Sequence, residues 1–524
     1  MIPDPSALNA ARRTADLAAL AEGEPLDVLV IGGGITGAGI ALDAAARGLR
    51  VALVEKRDLA FGTSRWSSKL VHGGLRYLAS GNVGIARRSA LERGILMTRN
   101  APHLVHAMPQ LVPLLPSMSR ATRALVRGGF LAGDALRFLA GTPASTLPRS
   151  QRVSAQRVVQ LAPTVRRDGL DGGLLAYDGQ LIDDARLVTA VARTAAQHGA
   201  RILTYVAASR ATGTSVRLTD VRGGGSFDVS AGAVINAAGV WAGEIDGSLR
   251  LRPSRGTHLV FDAAAFGNPT AALTIPIPGE LNRFVFAMPE QLGRVYLGLT
   301  DEAAPGPIPD VPEPSVEEIT FLLDTVNTAL GTALAATDVS GAYAGLRPLI
   351  DTGEGRTADV SREHAVVESA SGVISVIGGK LTEYRYMAQD VLDRAVRVRR
   401  LRAAKCQTRN LPLIGAPANP GSPERRTSHC RSHSCRGTAP RRPRSSRPPV
   451  ASGRPNRSST ESTSPEPSSN TRSPTNARWR SPTSSIGGPG SAWCRATASG
   501  WWPWPRSFSP ASGRAAGHPP PVRY

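Results

Sequence analysis

The stretch from Asp27 to Glu55 constrains this chain more than any other. It reads Val28-Leu29-Val30-Ile31, then Gly32-Gly33-Gly34-Ile35-Thr36-Gly37, then an alanine-rich run to Arg47, then Val51-Ala52-Leu53-Val54-Glu55. Two short apolar runs separated by a glycine turn and a helix-forming segment predict strand, turn, helix and strand. In such a unit the first glycine permits the tight turn, the second lets backbone N–H groups approach a pyrophosphate, and the third lets helix and strand pack closely. Glu55 ends the second strand, where an acid accepts hydrogen bonds from ribose hydroxyls. A lone glycine pattern is often only a turn. Here strands, helix and acid agree on a bound dinucleotide, with Gly32, Gly33, Gly34, Ile35, Thr36, Gly37 and Glu55 as its candidate contacts.

The position of this unit near the start favours FAD over NAD. Flavoproteins of the glutathione-reductase type open with it and close the flavin site with distant segments. Two later segments fit that role. Residues 233–241 read as a buried strand entering a small-residue turn at Gly239, and residues 373–380 as a second strand ending in Gly378-Gly379-Lys380, with a helical pattern after Leu381 and Thr382. Taken singly, either is equally an ordinary strand end of an α/β sheet.

Residues 62–78 form a block too particular for packing alone: Gly62-Thr63-Ser64-Arg65-Trp66-Ser67-Ser68-Lys69-Leu70-Val71-His72-Gly73-Gly74-Leu75-Arg76-Tyr77-Leu78. It resembles the FAD-dependent, quinone-linked glycerol-3-phosphate dehydrogenases. Further similar blocks follow in the same order: Tyr177-Asp178-Gly179-Gln180, Asp183-Asp184-Ala185-Arg186-Leu187, Arg255-Gly256-Thr257-His258, Gly298-Leu299-Thr300-Asp301, Gly345-Leu346-Arg347-Pro348-Leu349 and Gly378-Gly379-Lys380-Leu381-Thr382. The resemblance covers residues 26–395. Arg65-Trp66 stands where that family usually has small residues, and Arg255 where it often has Lys.

The resemblance implies oxidation of sn-glycerol 3-phosphate to dihydroxyacetone phosphate, with a hydride passing to FAD and electrons onward to a membrane quinone. Such chemistry needs a base for the C2 hydroxyl proton and cations for the phosphate. Arg76 and Arg347 are the candidate cations, because a guanidinium pairs bidentately with phosphate. His258 is the candidate base, and Lys380 an electrostatic aid or alternative acceptor. Tyr77 and Thr300 are candidate substrate contacts. Thr63, Ser64, Lys69, His72, Gly73, Gly74, Gly239, Gly379, Lys380, Leu381 and Thr382 join the cofactor set. Read blandly, most arginines make surface contacts, a single histidine is structural, and His72 merely positions the glycine turn beside it.

The 62 Lys and Arg against 41 Asp and Glu give a net charge of +21. That average hides a break, because residues 415–524 hold 17 Arg, no Lys and three acids. All four cysteines (Cys406, Cys430, Cys435 and Cys494) are also late, so the first 400 residues suit a reducing compartment. Residues 414–524 are rich in Arg, Ser and Pro without period, a composition expected to be irregular or disordered. Shifting the reading frame by one base converts such codons into apolar ones. This predicts that the tail is a frameshifted C-terminal helical domain, which an open alternative frame in the gene would bear out. The run His429-Cys430-Arg431-Ser432-His433-Ser434-Cys435 is too compressed for an ordinary zinc finger, and no metal is expected.

The expected fold is α/β: a glutathione-reductase-type Rossmann domain beside an antiparallel-sheet substrate domain. Residues 1–25 form an extension, 26–94, 181–250 and 351–400 the discontinuous FAD-binding domain, and 95–180 and 251–350 the substrate domain. No signal-like or spanning run is present, so a cytoplasmic protein is expected, with a peripheral membrane contact through the Arg-rich residues 118–137 or with those residues as an ordinary amphipathic helix. Competing readings are a related FAD-dependent oxidase using oxygen and an inactive nucleic-acid- or membrane-binding protein driven by the basic tail. Oligomeric state is not legible.

Overall fold

The computed structural model describes residues 4–74, 82–277, 280, 283–351 and 363–417. Arg76, Tyr77 and almost all of the Arg-rich tail lie outside them.

The glycine turn sits inside a parallel sheet. Leu26–Ile31 pairs with Val51–Glu55 on one side and with Ser226–Asn236 on the other, in the registers Val28↔Val51 and Val28↔Ala233. Arg201–Thr204 extends the sheet beyond Val51–Glu55, and Ile374–Ile377 extends it beyond Ser226–Asn236. Both late segments singled out in the sequence therefore end at the same edge as the first strand. Their continuous apolar runs are explained by burial on both faces. One face is covered by the helices Ile35–Ala46, Asp184–Gln197 and Tyr384–Arg399, whose Ala38, Ala41, Val188, Val191, Met387 and Val391 share one core with Val28 and Val30. The other face packs against the helix Ala10–Ala21 through Leu20. The expected N-terminal extension thus holds a capped helix, tied to the sheet by an Arg13–Asp220 ion pair of 2.6 Å.

The second sheet is mainly antiparallel. Val105–Pro113 pairs along its whole length with Gly173–Leu181, and Ser254–Asp262 lies between Arg294–Gly298 and Val339–Arg347. Side chains alternate between its faces. Leu111 and Leu175 join the core under Val316–Asn327 and Ala155–Leu161, whereas Val112 and Leu174 pack against Val126 and Phe130 of the helix Arg120–Leu139. The expected boundaries do not follow the cores and sheets throughout: Leu96, Met97, Ala101 and Leu104, assigned to the substrate segment 95–180, lie in the core with Val28 and Val30. Leu70–Val71, assigned to the FAD-binding segment 26–94, is a strand of the second sheet paired with Gly179 and Gln180. Two residues carry no periodicity that could have revealed this.

Residues 118–137 fold as expected into a helix, Arg120–Leu139, which buries Val126, Phe130 and Leu136 and yet carries apolar side chains on its outward face as well. Arg123 pairs with Asp171, Arg127 and Asp134 bond Ser150, and buried Arg137 donates to the Thr142 carbonyl. Its outward face carries Leu125, Leu131, Phe138 and Leu139, the last two 74% and 69% exposed. Among the described residues no helix is long and apolar enough to cross a membrane.

Candidate active site

A single cavity of about 1110 Å³ runs from the glycine turn into the second sheet. At its first end the backbone is fixed by contact. Gly32 has φ +113° and a Cβ there would press on the Ala237 carbonyl, while a Cβ on Gly37 would overlap the Gly32 carbonyl. Only glycine meets both demands. Glu55 accepts hydrogen bonds from Gly33 N at 2.6 Å and Arg57 N at 2.8 Å, and burial raises its pKa despite them. Ser64 Oγ accepts from Ile35 N at 3.0 Å, so the loop 62–65 is anchored on the helix start, and Thr63 donates to the Leu346 carbonyl. The arrangement of a glycine turn, a helix N-terminus and an acid on the next strand fits a dinucleotide.

The remaining cofactor candidates divide. Gly32, Gly34, Ile35, Thr36, Thr63, Ser64, His72, Gly239, Gly379, Leu381 and Thr382 line the cavity. Lys69 does not: its ammonium is buried, 2.9 Å from Asp184 and bonded to the Arg65 carbonyl. Gly33, Gly37, Gly73 and Gly74 are not among the lining residues. Gly73 N donates to Asp178, which also forms a buried 2.7 Å ion pair with Arg93. This pair holds the His72-Gly73-Gly74 turn against the cavity.

At the far end, His258 is 2% exposed on the strand Ser254–Asp262, with its ring stacked 4.8 Å from Tyr343. Its Nε2 lies 2.8 Å from Ser68 Oγ, and Nδ1 is buried with no hydrogen-bond partner. Burial first, then the charges of Lys69 and Arg347, pushes its pKa down to about 3, so the ring is neutral. Arg347 lines the same end, with Nη1 3.3 Å from Asp301 and 3.2 Å from Ser254 Oγ, and Nη2 3.1 Å from the Thr300 carbonyl. Lys380 Nζ bonds Ser89 Oγ at 2.5 Å and Glu383 at 2.8 Å. Although burial would raise it, Lys380 holds the Glu383 carboxyl below its ordinary pKa.

Thr300 lines the cavity with its hydroxyl partly engaged. Its hydroxyl donates to Glu318 at 2.7 Å and accepts from Thr257 N at 2.9 Å, so it ties the cavity wall to the helix Val316–Asn327 and has no proton left to donate to a substrate. The family departures are absorbed locally. Arg255 pairs with Glu318 at 2.7 Å, and Arg65 stacks over Phe61 and Trp66 at 4.4 and 4.6 Å. The sequence did not point to Ser89, Arg93, Ser254 or Glu383, and Ser68 stood in the block 62–78 without a role. Asp178 and Asp301 sat inside quoted blocks, but an acid within a motif gives no sign of which arginine it will orient.

Comparison with known proteins agrees with this geometry. The sequence pattern of the FAD dependent oxidoreductase family matches residues 27–385. Glycerol-3-phosphate dehydrogenase 1 of Mycobacterium tuberculosis is 84% identical over 425 residues, covering 80% of this chain and 82% of that protein. Glycerol-3-phosphate dehydrogenase SDP6 of Arabidopsis thaliana is 37% identical over 78% of this chain and 66% of its own length. The crystal structure of the Bacillus halodurans glycerol-3-phosphate dehydrogenase complexed with FAD superposes with a TM-score of 0.60 at 31% identity, covering 78% of this chain and 71% of that one. A glutathione-reductase-type fold, an FAD cradle and these likenesses together place the chain in the FAD-dependent glycerol-3-phosphate dehydrogenase family.

Proposed function

We propose that this FAD-dependent oxidoreductase oxidises sn-glycerol 3-phosphate to dihydroxyacetone phosphate and passes the electrons to a quinone at a membrane surface. One observation carries the reading: the cavity lined by the dinucleotide turn is lined also by Arg347, His258 and Lys380. Bound FAD supplies a two-electron acceptor for the hydride leaving C2. Arg347, oriented by Asp301 and Ser254, offers a guanidinium to the phosphate. His258, neutral in its buried setting, takes up the hydroxyl proton. Lys380, held by Glu383 and Ser89, places positive charge where the alcohol develops negative charge. Arg76 and Tyr77 complete the proposed substrate contacts from outside the described residues.

The membrane part of the proposal is supported by the helix Arg120–Leu139. Its exposed apolar face borders the cavity at Ala124, Leu125 and Gly128. An apolar face this long needs a cover, and a lipid surface suits a site that must reach a quinone. Anaerobic addition of glycerol 3-phosphate to the FAD-loaded protein tests the substrate. Bleaching of the visible flavin band is expected, and an FAD-replete protein that does not bleach refutes it. Reoxidation by a soluble quinone without peroxide distinguishes the quinone reading from an oxidase.

A further inference from the structure

Resting on His258 as the base, we propose that Ser68 is a catalytic residue that relays the substrate proton to His258 Nε2. The relay requires the tautomer with the proton on Nδ1, in which Nε2 turns its lone pair to Ser68 Oγ, 2.8 Å away in the cavity lining. An imidazole nitrogen has one lone pair, so a substrate hydroxyl bonding Nε2 directly must first displace Ser68. Nδ1 offers no substitute route, because it is buried without a partner. A serine hydroxyl accepts and donates at once, so it can bridge alcohol and imidazole without moving.

The surrounding structure holds Ser68 for this task from both sides. Asp184, fully buried at the start of the helix Asp184–Gln197, accepts from Ser67 N at 3.0 Å, from Ser67 Oγ at 2.7 Å and from Lys69 Nζ at 2.9 Å. Tyr343 OH donates to the Ser67 carbonyl at 3.1 Å while its ring stacks on His258. Lys69 adopts φ +55°, a left-handed conformation that costs a non-glycine residue about 1 kcal/mol and persists where neighbours over-determine it. Both neighbours of Ser68 are thereby locked, and its own hydroxyl is left to His258. The imidazole fills the space that a Cβ on Gly298 would need, so a side chain there would displace the ring from Ser68.

The step balances as follows. The C2–H bond breaks with its electron pair passing to FAD, and the carbonyl forms as the alcohol O–H proton moves to Ser68 Oγ. The proton of Ser68 moves in concert to His258 Nε2, so serine ends neutral and the imidazole cationic.

The test compares FAD-loaded full-length wild type, Ser68→Ala, Ser68→Thr and His258→Asn. Ser68→Ala is expected to retain FAD and its visible spectrum, to keep KM within about 3-fold and to bleach about 10- to 100-fold more slowly, the range of a lost proton-transfer partner. Flavin reduction in mixed light and heavy water should curve with two protons in flight in the wild type and turn linear in Ser68→Ala. Independently of turnover, the nitrogen-15 resonance of His258 Nε2 in the oxidised protein should shift on Ser68→Ala and return towards its place in Ser68→Thr, together with most of the rate. Bleaching at the wild-type rate by Ser68→Ala, or an unchanged isotope curve in a slowed variant, overturns the relay. A His258→Asn variant as fast as wild type sinks the base assignment itself, whereas a slow His258→Asn beside a normal Ser68→Ala sinks only the relay.

Discussion

Arg347 and Asp301 lie 3.3 Å apart in the wall of the cavity, with Ser254 Oγ bonded to both. The carboxylate fixes the plane of the guanidinium, and a planar fork is what a phosphate reads. Arg347→Lys keeps the charge and loses the fork. We expect kcat/KM for glycerol 3-phosphate to fall about 10- to 100-fold, mostly through KM, as when a charge-assisted hydrogen bond is removed. Asp301→Asn should reproduce part of that loss. An unchanged KM in stopped-flow bleaching for Arg347→Lys would remove this residue from the phosphate site.

His258 is held neutral, with its pKa pushed down to about 3 by burial and by two neighbouring cations. Flavin reduction in wild type should therefore show no acid limb from this residue between pH 5.5 and 8 by rapid mixing. The sign for stability follows the same shift. A histidine depressed in the folded state contributes stability that is complete above its ordinary pKa of 6.5 and is lost as pH falls towards 3. His258→Asn should slow bleaching about 100- to 10,000-fold while flattening the acid side of the melting profile.

Glu290 behaves oppositely. Burial pushes its carboxyl up to about 8, against the opposing hydrogen bond from Gln180 at 2.6 Å. The protonated acid contributes stability that is complete below pH 4.5 and is lost as pH rises through about 8. Glu290→Gln mimics the protonated form. Its stability relative to wild type should grow by about 1 to 2 kcal/mol between pH 5 and 9, allowing for screening at its partly exposed edge. Thermal melts at the two pH values measure this, and a difference that does not change with pH would contradict it.

Gly37 leaves no room for a side chain beside the Gly32 carbonyl. Gly37→Ala must push the helix Ile35–Ala46 off its strand, at a cost of about 1–3 kcal/mol for overpacking. The displaced turn should lose FAD. Flavin fluorescence released into the filtrate on gel filtration is the readout, and full retention of FAD would show that the turn tolerates a wider gap.

The outward face of the helix Arg120–Leu139 should govern attachment to lipid. Leu131→Glu combined with Phe138→Glu replaces two exposed apolar side chains by charges. Cosedimentation with anionic vesicles is expected to fall by about 10-fold or more, since each such side chain contributes about 1.5–3 kcal/mol when buried. Bleaching by glycerol 3-phosphate in solution should not change. Equal vesicle binding by the double variant would rule this face out.

How much was legible before the structure depended on how far each feature reaches along the chain. The strand–turn–helix–strand of residues 26–55 is written in local apolar runs and glycines, because its geometry is set by backbone sterics within thirty residues. The strands ending near Gly239 and Gly378 were legible as strands for the same reason, although nothing local says that they flank Leu26–Ile31. Site residues such as Arg347 and His258 came from a long resemblance, not from any property of an isolated arginine or histidine. The same resemblance gave no sign that the hydroxyl proton of Thr300 and the ammonium of Lys69 are engaged by Glu318 and Asp184, partners 18 and 115 residues away.

By itself, then, the sequence determined the dinucleotide unit and the α/β class through short-range pattern, and the family through a resemblance that runs along residues 26–395. Tertiary structure alone decided which neutral hydroxyl meets His258, which acids orient Arg347 and Lys380, and which face of the helix Arg120–Leu139 looks outward. Hydrogen bonds and ion pairs act over about 3 Å in space and are blind to separation along the chain, so pattern cannot announce them. The helix Arg120–Leu139 makes the same point: Val126 and Phe130 pack on the second sheet and Arg137 is spent on the Thr142 carbonyl, while Leu131 and Phe138 are left outside.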